Sequence, residues 1–136
     1  MILNSKIDGG TMLIQCKKNF RQQIKEGEIY LVIEILIKRN SNSVSYRLID
    51  REGYPAIYDA KNFEIVSNRL NNFALLLTSD IIIFSPKQII DSELNKKNID
   101  GFWGLFIEDD PEARNILNKV ILDLASDENV IPPQLL

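Results

Sequence analysis

Histidine is absent from this chain of 136 residues, and cysteine occurs once. The first absence removes every catalytic scheme that runs on an imidazole and, with a single thiol, the common zinc sites; the second removes any disulfide framework. No apolar run approaches the roughly 20 residues that a membrane-spanning helix needs. The opening residues, Met1-Ile2-Leu3-Asn4-Ser5-Lys6, lack the basic flank and long apolar core of a secretion signal. The lone cysteine, read as a packed thiol, makes a reducing cytoplasm the expected compartment. There is no glycine-rich phosphate loop: Asp8-Gly9-Gly10-Thr11 is the nearest, no Lys-Ser/Thr pair follows it, and it reads as a turn before a strand. A basic stripe with interleaved aromatics, the footprint of nucleic-acid binding, is missing as well. Its nearest approximation, Lys17-Lys18-Asn19-Phe20-Arg21, sits beside Glu26 and Glu28.

What is present is an ordinary globular composition, 45% hydrophobic and 26% charged. The length predicts one domain, 1–136, able to bury a core without staples, with a β-rich part over 1–68 and a mixed α/β part over 69–136. The net charge of −3 conceals a polarity, because the first part carries +2 and the second −5. Asp100, Glu108, Asp109, Asp110, Glu112, Asp123, Asp127 and Glu128 face only Arg114 and Lys119 in the last third. Such a field suits a basic partner, since complementary charge speeds encounter and sets register; the plain alternative is a solvated, solubilising face.

The first part predicts strands. Thr11–Lys18 is a short β-rich run, and Ile29–Lys38 is a long one, too apolar to alternate and expected to be bent and buried on both faces. Val44–Asp50 alternates, Arg51-Glu52-Gly53 is a turn, and Tyr54–Tyr58 resumes as a strand that Pro55 confines to an edge. Asp59–Asn62 predicts one helical turn and Phe63–Val66 a closing strand. In the second part, Phe73–Thr78 and Ile81–Phe84 are either two strands or a buried helix followed by a strand, with length favouring strands. Pro86–Leu94 predicts a short helix, Asn95–Gly101 a polar loop, and Phe102–Phe106 a packed strand or the opening of a helix. Asp109-Asp110-Pro111-Glu112 is a helix start, and Ala113, Ile116, Leu117, Val120, Ile121 and Leu124 then make one apolar stripe ending near Ser126. The fold class expected is α+β: a small antiparallel β-barrel or curled sheet followed by helices, with the C-terminal amphipathic helix packed on the sheet.

The chemistry-bearing residues each carry two readings. Glu108, Asp109, Asp110 and Glu112 could cluster oxygens for a hard cation, but their spacing matches no ligand loop and capping accounts for two of them. No pair of carboxylates stands out for acid–base work, so neither metal, cofactor nor catalytic residue is expected, and an enzyme is disfavoured. Cys16, within Met12–Cys16, reads as a packed thiol. Tyr30 and Tyr46 are expected to bury their rings and keep their hydroxyls at the surface. Tyr54 and Tyr58, flanking a turn with Pro55, could instead line a shallow groove for a peptide or a base. Trp103, beside Phe102 and Phe106, is either a plug between helix and sheet or an exposed anchor amid acids.

Two stretches carry resemblances. Glu26-Gly27-Glu28-Ile29-Tyr30-Leu31-Val32, Tyr46 through Ala56, and Phe63-Glu64-Ile65-Val66 resemble the Src-homology-3-like small barrels of short bacterial and phage proteins. Gly101-Phe102-Trp103 through Phe106-Ile107-Glu108-Asp109-Asp110-Pro111-Glu112-Ala113 is similar to C-terminal segments of small acidic immunity proteins that accompany polymorphic toxins, including those of contact-dependent inhibition systems. The second resemblance implies a cytoplasmic, non-catalytic protein that binds and neutralises a cognate toxin domain, often a nuclease with a basic face. The contacts expected for that role are Asp100, Trp103, Glu108, Asp109, Asp110 and Glu112. The alternative is a small-barrel adaptor or nucleic-acid-associated module acting through Tyr54 and Tyr58 with Lys17, Lys18 and Arg21.

Overall fold

A computed structural model describes residues 11–20, 22–70, 72–97, 99–128 and 130–136. Arg21 and the Asp8–Gly10 turn lie outside the described residues. Seven antiparallel strands form one sheet that does not close, followed by three helices: β1 Met12–Cys16, β2 Ile29–Lys38, β3 Val44–Ile49, β4 Pro55–Asp59, β5 Phe63–Asn68, β6 Phe73–Leu77, β7 Ile81–Pro86, α1 Lys87–Ile90, α2 Gly101–Ile107 and α3 Pro111–Asp127. The fold class is α+β, with α3 packed on the sheet. Pro55 opens an edge strand, where its missing N–H costs no ladder bond.

β2 organises the sheet. Its first residues pair with β1, Leu31 opposite Leu13, and its last pair with β7, Ile35 opposite Phe84, while β3 runs along the other edge. The β-rich and mixed parts therefore share one sheet. Two cores lie on its two sides. Leu13, Leu31, Ile33 and Ile49 pack under Phe102, Phe106, Leu117, Ile121 and Leu124 of the helices. Met12, Ile14, Tyr30, Val32, Tyr46, Leu48 and Phe63 fill the concave side of the strands. Strict alternation would send Glu34 into this second core, but the register shifts between Val32 and Glu34. That bulge turns Ile33 and Glu34 toward the helices together, while Ile35 joins the second core.

Phe73–Leu77 and Ile81–Pro86 are strands, and Phe102–Phe106 belongs to a helix. The helix expected over Pro86–Leu94 is cut short. Pro86 stays in β7, α1 has four residues, and a separate 3-10 turn follows at Glu93–Lys96. Two side chains enforce the break. The Ser92 hydroxyl accepts from the Leu94 N–H, and Asn95 Nδ2 donates to the carbonyls of Ile89 and Ile90 at 2.8 and 3.0 Å. The Asn95 Oδ1 then accepts from the Phe102 N–H at 2.9 Å, which ties the end of α1 to the start of α2. The chain beyond α3 is held in place: Leu136 N donates to Gly53 O at 3.0 Å, and Arg114 Nη2 donates to Leu136 O. Gly53 has φ +88, and a Cβ there would stand 2.6 Å from Leu136 N, so the β3–β4 turn and the tail meet only over a glycine.

Candidate protein-binding surface

The acids of the last third do not gather in one cluster. Glu108, Asp109 and Asp110 occupy the corner between α2 and α3, where two capping motifs overlap. At the end of α2 the Asp109 N–H donates to Phe106 O and the Asp110 N–H to Leu105 O, both at 3.0 Å, the paired bonds of a Schellman turn. Such a turn places one residue in the left-handed region, here Asp109 at φ +63. Glycine takes that position without steric cost; among other residues aspartate and asparagine tolerate it best, but still at a cost relative to glycine. Asp110 belongs to both helices, since its Oδ2 also accepts from the Ala113 N–H at 3.0 Å and caps α3.

The corner projects into solvent. The Asp109 side chain is 85% exposed, with Arg114 Nη1 3.6 Å from its Oδ1. Glu108 is exposed, and Glu112, in the first turn of α3, is 3.8 Å from Lys97 Nζ across open surface. At the end of α2, Ile107 stands 80% exposed and lines the same depression as Asp109. Ion pairs this open hold their geometry weakly and exchange readily for a partner's charges. Asp100 sits apart, at the N-terminal end of α2 on the rim of a larger groove beside Ile99 and Gly101.

Trp103 links the two places. Its ring meets Phe102 and Phe106 edge-to-face at 5.1 and 5.9 Å, and the Arg47 guanidinium lies 4.1 Å from its centroid. It is a plug between α2 and the sheet, half-buried, with one side on each of two depressions. The smaller, about 170 Å³, is walled by Tyr54, Trp103, Phe106, Ile107 and Leu136, with Asp109 on its rim. The larger, about 420 Å³, lies over the sheet between Leu36, Ile83, Ile90, Phe102, Trp103 and Asp100. The fold thus brings Trp103, Asp109 and Tyr54 to one cleft, Trp103 and Asp100 to another, and leaves Glu108 and Glu112 on the shoulder.

Under Trp103 lies a polar centre that pattern reading did not single out. Glu34 is 4% exposed. Its Oε1 accepts from Arg47 Nε at 3.0 Å, and its Oε2 accepts from the Ser85 hydroxyl at 2.7 Å and from Trp103 Nε1 at 3.0 Å. A carboxylate in so apolar a strand is tolerated because a cation and two neutral donors satisfy it. The only sequence signal was its being the single acid inside Ile29–Lys38.

Tyr54 is exposed beside the tail, whereas Tyr58 is turned inward. The Tyr58 ring meets Phe20 and Phe63 edge-to-face, and its hydroxyl donates to Asp50 Oδ2 at 3.2 Å. Burial, then the Asp50 charge, raises its pKa well above the usual tyrosine value. The two tyrosines therefore do not share a groove. Tyr30 and Tyr46 bury their rings, as expected, and burial pushes Tyr30 up to about 12 despite a hydrogen bond from the Lys25 N–H. Cys16 is a packed thiol donating to Lys18 O. Among the described residues, no three side chains of metal-ligand type converge, and no helix is long and apolar enough to cross a membrane.

Compared with known proteins, no family model, no curated protein and no solved structure matches this chain.

Proposed function

We propose that this chain is a cytoplasmic, non-catalytic immunity protein that neutralises a cognate toxin domain, a nuclease with a basic face, by laying the α2–α3 corner against it. The observation that carries the reading is Asp109. An exposed carboxylate occupies a left-handed position where glycine would be easier, so charge is kept there at a conformational cost. Ile107 supplies a desolvating knob beside it, and Glu108 and Glu112 supply the charged rim, the layout of a small interface centre. Mechanistically, Glu108, Asp109 and Glu112 would compete with nucleic-acid phosphates for the toxin's Lys and Arg side chains, and Trp103 and Tyr54 would wall the adjoining cleft. Asp110 is committed to capping and contributes its charge in place. The three segments that resemble small barrels fall on β2, the β3–β4 hairpin and β5 of one sheet, with β5 crossing back to pair with β1, which supports that likeness as well.

Tagged protein recovered from its own cytoplasm at low and moderate salt, with the partner identified by mass and assayed for nuclease activity, tests this. The expected result is a stoichiometric basic nuclease whose activity the chain suppresses, and loss of most suppression in the Glu108→Lys/Asp109→Lys/Glu112→Lys variant. Recovery of RNA without such a protein, or full suppression by the triple variant, would overturn it.

A further inference from the structure

Among the described residues the sheet has three edge strands, β4, β5 and β6, and they are not protected alike. β4 opens with Pro55 and ends in Asp59; β5 carries Glu64 and lies against a bulge in β1. Such devices keep edges from pairing with other chains. β6 has none of them. From Phe73 to Ser79 the chain has neither a charge nor a proline, and Leu75, Leu76 and Leu77 are 50, 44 and 58% exposed. Successive residues point to opposite faces, so apolar side chains stand bare on both sides of the strand.

The hydrogen-bond register shows which backbone groups β6 offers. The Thr78 N–H donates to Ile81 O, and the Lys87 N–H to Asn72 O, so the even-numbered positions of β6 face β7. The N–H and C=O of Leu75 and Leu77 and the C=O of Phe73 consequently face outward. The Phe73 N–H is already donated to Leu70 O.

We propose that β6 pairs antiparallel with β6 of a second copy of this chain, about a two-fold axis through Leu75. In that register the two Leu75 residues exchange both hydrogen bonds, and each Leu77 N–H reaches the other copy's Phe73 carbonyl, so the outward donors of both residues are satisfied. A copy is the fitting occupant for two reasons. An antiparallel edge is complementary to itself, which is the requirement of a two-fold interface. In a chain of net charge −3, β6 carries no charge from Phe73 to Ser79, so pairing it with itself sets no like charges against each other. Leu75, Leu76 and Leu77, each about half exposed, would bury a small apolar area between two copies, below that of standard-size specific interfaces. The pair is therefore weak and concentration-dependent, and it leaves the α2–α3 corner, on another part of the molecule, for a different partner.

Sedimentation of the whole chain between about 1 and about 500 µM reads this directly, since small interfaces give weak association. The wild type should move from one chain toward two across that range. Leu75→Pro removes an outward N–H without touching the β6–β7 ladder, and Leu77→Lys places a charge on the edge; each should raise the dissociation constant at least about tenfold. A circular dichroism melt accompanies both, and Leu77→Lys stands alone if the proline variant fails to fold. A wild type that stays monomeric at the highest concentration overturns the proposal, and so does a folded Leu77→Lys variant that dimerises as the wild type does.

Discussion

The two sides of β2 solve the same burial problem with different residues. On the helix side the core is aliphatic with two phenylalanines, and the helices that cover it turn their charged faces outward. On the concave side the strands close over one another, and the filling is aromatic: Tyr30, Tyr46 and Tyr58 each meet Phe63 edge-to-face at 6.1 to 6.5 Å. Tyrosine suits that side because a strand end lies close enough for the hydroxyl to reach the rim, as Tyr30 does to Glu28 and Tyr58 to Asp50. The helix side has no such exit, so its one buried charge needed internal partners. The exposed carboxylates Glu108, Asp109 and Glu112 are mounted on the helices that cover the aliphatic core because helix corners project charge, while a curled strand surface spends its polar groups on itself.

The largest effect expected is in the helix-covered core. Phe102→Ala should cost about 3–5 kcal/mol, because a fully buried ring leaves a cavity that α2 and β2 cannot both collapse into. Tyr46→Phe on the concave side should cost under about 1 kcal/mol by comparison, since the ring stays; urea midpoints read both.

Next comes the polar centre. Glu34→Ala should cost about 3 kcal/mol by stranding Arg47 and the donors of Ser85 and Trp103. Glu34→Gln should recover part of that, because an amide oxygen still accepts one of them. Equal loss in the two variants would mean that charge, and not hydrogen bonding, holds the centre together.

Alkaline pH should act most on the concave side, because that core holds Tyr30, Tyr46 and Tyr58, all with pKa values raised by burial. With its folded pKa at about 12 against 10 unfolded, Tyr30 contributes stability that is whole below pH 10 and lost as pH rises toward 12. The loss should reach about 2 kcal/mol, followed by urea midpoints across that range, and Tyr30→Phe should flatten part of it. A flat profile would break the contrast between the two cores.

The smallest effects lie at the corner. Asp110→Ala should remove about 1 kcal/mol of cap. Asp109→Gly should leave stability unchanged or raise it by up to about 1 kcal/mol, because glycine relaxes at φ +63. If the corner is the toxin contact, that same variant should bind the toxin more weakly, which separates a binding residue from a merely strained one.

Much of this arrangement was legible beforehand. Ile29–Lys38 declares a strand by its β-branched run, Pro55 declares an edge, and Asp110-Pro111 with the apolar stripe from Ala113 to Leu124 declares α3 almost to its last residue. These are local matters, settled by backbone preference, missing donors and periodicity within a few turns of chain. The site was legible only in part: the acids and Trp103 stood out by type, but their division between the two depressions did not.

What the amino-acid order determined alone was the strands of the first part, the start and apolar stripe of α3, the acidic second half and the absence of imidazole and disulfide chemistry. The tertiary structure decided the rest. The bulge that turns Glu34 to Trp103 depends on how β3 aligns with β2, the break after Ile90 depends on Asn95 meeting Phe102, and the left-handed Asp109 depends on two helices ending and starting at one corner. Each joins residues distant in sequence or satisfies backbone groups from two elements at once, and no pattern within a single segment encodes that.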